Sequence, residues 1–200
     1  MRGKIYLIRH AETTWNRQKK YCGIQDVPLS SRGRRQARLL AQRLKGVRFD
    51  QIYCSDRLRA LETAQLIFGE KAAFKKVPQL RELCFGVFEG LSHEQNLKKY
   101  PRVYKRWLSD PAKTRIPKGE SLHVFRRRVV TAMKKIIGRS RNKTVAIVTH
   151  GGVISVFTAH ILNSGGFWKH LVKSASISVF ACGNGKVRLR NFNDTEHLHG

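Results

Sequence analysis

Ile5-Tyr6-Leu7-Ile8-Arg9-His10-Ala11-Glu12-Thr13 is the stretch that decides the fold of this 200-residue chain. Its first four residues form an apolar run that reads as a short strand. The run stops abruptly on an arginine and a histidine. Thr13-Thr14-Trp15-Asn16 then reads as the first turn of a helix. A strand end followed by a helix start is where open α/β sheets hold ligands, and an Arg-His pair there suits a phosphate oxyanion.

The same junction recurs further along. Gln51–Cys54 reads as a second strand, and Ser55-Asp56 is predicted to cap a helix from Arg57 to Phe68 that Gly69 closes. Arg59 falls in the first turn of that helix. Thr144–Thr149 is a continuous apolar strand of the kind buried on both faces in a parallel sheet. His150-Gly151-Gly152 follows it and leads into a helix from Val153 to about Leu162. Between these units, Ser30-Ser31 caps a helix running to Lys45, with Ala37, Leu40, Ala41 and Leu44 on one face and Gly46 as its stop. Its polar face carries Arg32, Arg34, Arg35, Arg38 and Arg43 with no carboxylate between Asp26 and Asp50, and is expected to repel itself. Ser121 caps a further helix with an apolar stripe through Phe125, Val129 and Ile136, ended by Gly138.

The remaining segments are less regular. Val77–Leu80 reads as a brief extended piece. The stretch from Arg81 to Gly90, glycine-punctuated and aromatic, suits a loop folded over a site. Ser92 to Asp110 is helical but broken before Pro101, and the basic segment from Pro111 to Glu120 suits a variable lid. Ser176–Cys182 and Lys186–Asn191, joined by Gly183-Asn184-Gly185, carry a hairpin signal, so at least one antiparallel strand is expected. Alternating strands and helices predict a doubly wound α/β sheet. Residues 1–200 are expected to form one domain, with about 81–120 as a loop and helix cap over the site.

Composition narrows the setting. Forty Lys and Arg against thirteen Asp and Glu give a formal charge of +27. Such a field concentrates anionic partners of every kind, so nonspecific polyanion binding is expected; a highly cationic surface of poor selectivity is the plainer reading. The four cysteines have no CxxC or zinc-type spacing and read as free thiols in a reducing compartment. No stretch approaches the roughly 20 apolar residues that span a bilayer, and the apolar run at the start is too short for a signal peptide. A cytoplasmic protein without a membrane partner is the expectation.

Arg9-His10, Arg59 and His150 thus stand at three strand ends on one edge of the sheet. Two guanidinium groups offer paired donors to phosphate oxygens, and the helix after Gly151 and Gly152 is expected to add free amides. His10 can attack phosphorus as a neutral imidazole, and the resulting phosphoramidate hydrolyses without a metal. A leaving alkoxide needs a proton, and Glu82, in the folded-over loop, is the candidate donor. Burial favours its acid form and a cationic pocket favours its carboxylate, a balance the sequence leaves open. Taken singly, each residue has an ordinary structural reading; their combination changes the weighing.

The combination resembles the histidine phosphatase superfamily, the phosphoglycerate-mutase-like group. Arg9-His10-Ala11-Glu12-Thr13 with Trp15-Asn16, Gly23 through Ser30, Ser55-Asp56-Arg57-Leu58-Arg59-Ala60, Leu80-Arg81-Glu82 with Phe85-Gly86, Gly119-Glu120-Ser121 and Thr149-His150-Gly151-Gly152 are similar to its successive signature blocks. The resemblance implies a three-layer α/β/α sandwich, mostly parallel with an antiparallel edge strand. It implies His10 as the phosphorylated residue, Arg9, Arg59 and His150 as phosphate ligands, Glu82 as proton donor and Asn16 as a further phosphate contact. Gly151 joins the phosphate-binding set, and no metal or cofactor is called for. Ala11 stands where the family has glycine, and Phe88 where it has tryptophan, a change expected at the substrate wall. The short chain and its Asn193–Leu198 ending resemble alpha-ribazole phosphatases and broad-specificity phosphatases. The leading reading is a metal-independent phosphomonoesterase for a small phosphorylated metabolite, with alpha-ribazole-5'-phosphate as the best single substrate. A phosphoglycerate mutase, and a catalytically idle fold that binds nucleic acid through its basic surface, are the alternatives. No specific nucleic acid is expected, and the sequence does not give the oligomeric state.

Overall fold

Two sets of apolar residues alternate along the central strands, and each set faces a different layer of helices. The computed structural model describes residues 3–183 and 185–199. Strands β1 (Gly3–Arg9), β2 (Gln51–Cys54), β3 (Lys75–Lys76), β4 (Thr144–Thr149), β5 (Ile177–Gly183) and β6 (Lys186–Asp194) form one six-stranded sheet in the order β3-β2-β4-β1-β5-β6. The first four strands of that order are parallel, and β5 pairs antiparallel with both β1 and β6. Asn184, at the tip of the predicted hairpin, lies outside the described residues.

On one face, Ile8, Cys54, Ala146, Val148 and Ile177 pack against Ala37, Leu40 and Leu44 of α2 (Ser31–Leu44) and Ala60 and Ala64 of α3 (Leu58–Phe68). On the other, Ile5, Leu7, Val145, Ile147 and Phe180 meet α6 (Leu122–Arg139) and α7 (Gly151–Ile161) through Phe125, Val129, Ile136, Val153 and Phe157. The result is a three-layer α/β/α sandwich. Complete burial of side chains such as Leu40 and Phe125 stabilises each layer by about 1.5–3 kcal/mol per residue.

Beyond the sheet, α1 (Thr14–Arg17) is a single turn, and α4 (His93–Lys99) and α5 (Pro101–Ser109) meet at Tyr100. Proline at the first position of α5 has no N–H to satisfy, which is why the break falls there. Phe88, Tyr104 and Trp107 are fully buried with Phe85 and Tyr21 in one aromatic cluster. Phe88 is therefore a packing residue of this region, a correction to its expected place at the substrate wall.

Several local expectations change. Of the expected extended piece Val77–Leu80, only Val77 is extended, continuing from the two-residue edge strand β3 just before it; Pro78–Leu80 is a 3-10 turn. Ser55-Asp56 does not cap α3. The N-cap residue is Arg57, without a side-chain cap bond, and the amide of Leu58 donates instead to Asp26 Oδ1 at 3.1 Å. Asp56 is drawn off by a two-pronged pair with Arg81. Gly138 lies inside α6, which ends on Arg139. The arginine face of α2 does not stand unpaired: Arg32 reaches Glu12, Arg34 reaches Glu62, and Arg43 reaches Asp194 and Glu196. Carboxylates distant in sequence supply what the helix lacks. Among the described residues, no helix is long and apolar enough to cross a membrane.

Candidate active site

The parallel register of β1 and β4 sets Arg9 opposite Thr149, so the residues that follow, His10 and His150, emerge side by side. The amide of His10 donates to the Thr149 carbonyl at 2.8 Å, and its own carbonyl accepts from Ala175 at 3.2 Å. Held at both backbone groups, the His10 ring stands edge-on to that of His150, with centroids 5.2 Å apart. Both side chains are buried.

The tautomer of His10 follows from its neighbour. Its Nδ1 lies 2.8 Å from the Ala11 carbonyl, which can only accept. The ring proton therefore sits on Nδ1 and the Nε2 lone pair is free. Burial, then Arg59 and Arg9, push the His10 imidazole well below its ordinary range, against a smaller opposing effect of the Ala11 carbonyl. Burial, then Arg59, His10 and Arg9, do the same to His150. Both rings are neutral near pH 7, as a nitrogen nucleophile must be.

Arg59 is wholly buried on the first turn of α3. Its Nη1 donates to the Gln25 carbonyl at 2.9 Å, and its Nη2 to the carbonyls of Gly23 at 2.8 Å and Cys22 at 3.3 Å. That loop is itself fixed by Glu89, whose carboxylate accepts from the amides of Gly23, Ile24 and Phe85. Gly23 is required there: a Cβ would stand 2.1 Å from the Leu83 carbonyl oxygen. Thr63, one turn on in α3, accepts from the Ala11 amide at 3.0 Å and donates to the Arg59 carbonyl at 2.7 Å, which ties α3 to the His10 turn.

Arg9 donates through Nη1 to the Val172 carbonyl. Burial lowers its proton affinity, the Glu82 charge opposes that, and Arg59 adds to it. Arg9 Nε, Arg59 Nε and His150 Nδ1 are buried nitrogens with no protein partner. Gly151 passes close to the first of these, since a Cβ there would lie 3.3 Å from Arg9 Nε. The group is thus two guanidinium ions and two neutral imidazoles drawn together with few acceptors. Its chemical fit is to a compact anion.

Glu82 enters from the loop that follows the 3-10 turn. Its Oε1 accepts from the Leu83 amide and its Oε2 from the Gly152 amide, both at 2.9 Å. This corrects the expectation of free amides after the second glycine: α7 starts at Gly151, two residues earlier than expected, and its Gly152 N–H belongs to Glu82. A Cβ on residue 152 would come within 2.3 Å of Glu82 Oε1. Asn16 is near the start of α1, where its Oδ1 accepts from the Thr13 amide and hydroxyl in a capping box. With Oδ1 committed, only its Nδ2 remains to meet an anion.

Three further residues organise the site in roles that sequence reasoning does not assign to them. Ser55 Oγ lies 2.8 Å from His150 Nε2. Thr149 Oγ1 donates to the Leu80 carbonyl at 2.8 Å. Arg128 of α6 uses all five donors: a paired contact to both oxygens of Glu120 at 2.8 Å, and bonds to the carbonyls of Gln79, Arg81 and Glu82 at 2.8, 2.8 and 2.9 Å. The Gly119-Glu120-Ser121 block was the only sequence signal for that network; nothing local marks Arg128 among its arginine neighbours. Among the described residues, no cluster of three or more His, Cys, Asp or Glu is arranged to hold a metal ion. All four cysteines are free thiols, and burial pushes Cys22, whose carbonyl contacts Arg59, up to about 11.

Comparison with known proteins places this geometry. The family model described as histidine phosphatase superfamily (branch 1) matches residues 5–195. Phosphoserine phosphatase 1 of Hydrogenobacter thermophilus is 32% identical over 198 residues, covering 98% of this chain and 94% of that protein. The adenosylcobalamin/alpha-ribazole phosphatase of Escherichia coli is 31% identical over 160 residues, covering 80% of this chain and 79% of that one. A solved structure of a putative alpha-ribazole-5'-P phosphatase from E. coli superposes with a TM-score of 0.90 at 28% identity, covering 98% of both chains.

Proposed function

The chain belongs to the histidine phosphatase superfamily and is a phosphatase, and from that premise we propose that it hydrolyses a small phosphomonoester through a phosphohistidine at His10, without a metal. One observation carries this reading: Arg9 Nε, Arg59 Nε and His150 Nδ1 are buried nitrogens without a protein partner, on residues that surround His10, since the His150 ring stands 5.2 Å from its ring and the charges of both arginines act on it.

The ester phosphate lies among Arg9, Arg59 and His150, with Asn16 Nδ2 and the backbone at Gly151 completing the phosphate contacts. Ser55 Oγ lies 2.8 Å from His150 Nε2; in this reading the serine donates its proton there, which leaves the His150 ring proton on Nδ1, the buried nitrogen without a protein partner, to meet the phosphate. His10 Nε2 forms an N–P bond as the P–O ester bond breaks. The guanidinium groups and His150 hold the charge on the equatorial oxygens. Glu82, entering as the acid, gives its proton to the departing alkoxide. As the carboxylate it then takes a proton from water, whose oxygen attacks phosphorus. The N–P bond breaks, the imidazole is restored and inorganic phosphate leaves. Burial and the two arginines, which keep His10 neutral, also favour the nucleophilic form.

For the substrate, we retain alpha-ribazole-5'-phosphate as the leading candidate, supported by the TM-score of 0.90 to the E. coli structure of that description. Phosphoserine is a second reading, supported by the 98% coverage of this chain by a phosphoserine phosphatase. Specificity constants for the two, measured side by side with 3-phosphoglycerate as mutase control, decide among them. A preference of tenfold or more for phosphoserine overturns the first choice, and transfer to a second phosphoglycerate rather than to water overturns hydrolysis. The phosphohistidine is tested by trapping: acid-labile, base-stable phosphate is expected on wild type and absent from His10→Ala, which also loses turnover. Full turnover in His10→Ala refutes the pathway.

A further inference from the structure

From Ser121 to Asn193 the chain carries no carboxylate. The reaction uses no cation from this stretch, and of its Lys and Arg side chains only Arg128 forms an ion pair among the described residues. The unused charge is not spread evenly. The outward face of α6 presents Arg126, Arg127, Lys134, Lys135 and Arg139, all exposed. One flank of the helix opens on a groove of roughly 560 Å³, where Arg127, Lys135 and Arg139 stand opposite Lys76 of the edge strand β3 and Thr131 offers a hydroxyl between them. No Asp or Glu lines that groove. On the other flank, Lys134 and Arg141 share a second carboxylate-free groove with Lys186 of β6.

We propose that this face of α6, with Lys76 across the groove, is a binding surface for the phosphate backbone of duplex nucleic acid, read without regard to base sequence. Three features choose this partner. Residues 127, 131, 135 and 139 step by four along the helix, a rise of about 6 Å per step, so their polar ends form a linear row of donors suited to a repeating polyanion. Large apolar side chains are nearly absent from the outward face: Val124, at the start of the helix, is the one exposed there among the described residues. A membrane-lying helix needs a broad apolar face. Aromatic rings are not interleaved with the cations; the nearby Tyr53 ring is itself buried, with Lys75 Nζ 5.5 Å from its centroid. Single-strand binding relies on open stacking platforms, so a duplex fits better. The surface is on the α6–α7 side of the sheet, and α2, the other arginine-rich helix, is on the opposite side with much of its charge paired.

The test separates a located surface from the diffuse effect of net charge. Fluorescence anisotropy with a labelled 20-base-pair duplex, measured across about 50–200 mM salt, gives log K against log salt. About four or five phosphate contacts predict a slope near −4. Arg127→Glu/Lys134→Glu/Lys135→Glu is expected to weaken binding at least 100-fold at the midpoint salt and to flatten the slope by about 3. The control Arg35→Glu/Arg38→Glu/Lys45→Glu on the α2 side makes the same change in net charge and is expected to move binding less than tenfold. The corresponding Gln triples, which remove charge without reversing it, must rank the same way, and p-nitrophenyl phosphate turnover reports that each variant is folded. Equal losses from the two faces overturn the proposal in favour of diffuse attraction. So does binding to phosphatidylserine vesicles that exceeds duplex binding, or a single strand bound as tightly as the duplex.

Discussion

Replacing Arg128 with Met keeps most of the aliphatic stem that lies against Phe125, where the guanidinium carbon stands 4.7 Å from the ring centroid, and removes five hydrogen bonds. Three were made to the carbonyls of Gln79, Arg81 and Glu82, and two to a Glu120 carboxylate whose side chain is 15% exposed. Stranding one member of a buried ion pair costs about 3–5 kcal/mol. Partial exposure of this pair reduces that to about 2–4 kcal/mol. In a domain of this size each kcal/mol moves Tm by about 2–4 °C, so a fall of about 5–15 °C is expected by calorimetry. Adding Glu120→Gln removes the stranded charge and should restore about 1–2 kcal/mol, the sign that the pair acts as a unit. The kinetic signature is separate. Arg128 anchors the segment carrying Glu82, so its loss should impair proton donation most. Hydrolysis of an alkyl phosphate should fall at least tenfold more than that of an aryl phosphate, because a phenolate leaves without a proton. Glu82→Gln should show the same discrimination more strongly. If Glu82→Gln discriminates between the esters and Arg128→Met slows both equally, Arg128 does not position the acid. A Tm unchanged within about 1 °C would refute the energetic reasoning as well.

Gly152→Ala drives a methyl group into Glu82, 2.3 Å from Oε1; alkyl-ester turnover is expected to fall at least tenfold with aryl-ester turnover less affected, and equal losses would show that the carboxylate does not need this glycine. Arg59→Lys gives up the forked grip on the Cys22, Gly23 and Gln25 carbonyls, and a loss of about 100-fold in kcat/KM is expected by initial-rate measurement. The depressed proton affinities of His10 and His150 place the acid limb of kcat/KM well below the ordinary histidine value of 6.5; a limb at or above 6.5 contradicts the buried cationic pocket. The same groups link stability to pH. The unfolded chain binds protons on these histidines below pH 6.5 while the folded chain does not. Their neutral burial therefore costs nothing above that pH, and stability falls as pH drops from 6.5 toward the folded values, a trend denaturant titrations at several pH values can follow. Inorganic phosphate or sulfate, filling a site where cations repel one another, should raise Tm, by about 2.7 kcal/mol of stability at 100 times Kd; an unchanged melting temperature would count against the anion pocket.

The parts of the site that sequence reveals are those set by short-range pattern. Apolar runs ending on Arg9-His10 and on His150 give strand ends, and strand ends in a doubly wound sheet share an edge. Arg59 was legible because its helix follows a strand directly. The helix caps at Ser30, Ser92 and Ser121 obey local chemistry, whereas Asp56 looked like a cap and instead pairs with Arg81, a partner no nearby residue announces. The strand β3 is only two lysines long and carries no apolar alternation, so it left no pattern to read. Arg128, Glu89 and Ser55 shape the site through partners 46 to 95 residues away in sequence, and in a chain with forty Lys and Arg one more arginine carries no local signal. The arginine face of α2 reads as self-repelling for the same reason: its carboxylates come from other elements.

Because β1 borrows its neighbour from β4, the two imidazoles meet only after most of the polypeptide has been synthesised and has closed its sheet. No early fragment of the nascent protein can become a catalyst, and a nick that frees β4 should silence the enzyme even with every amino acid still present. Turnover therefore doubles as a gauge of whether the molecule is whole.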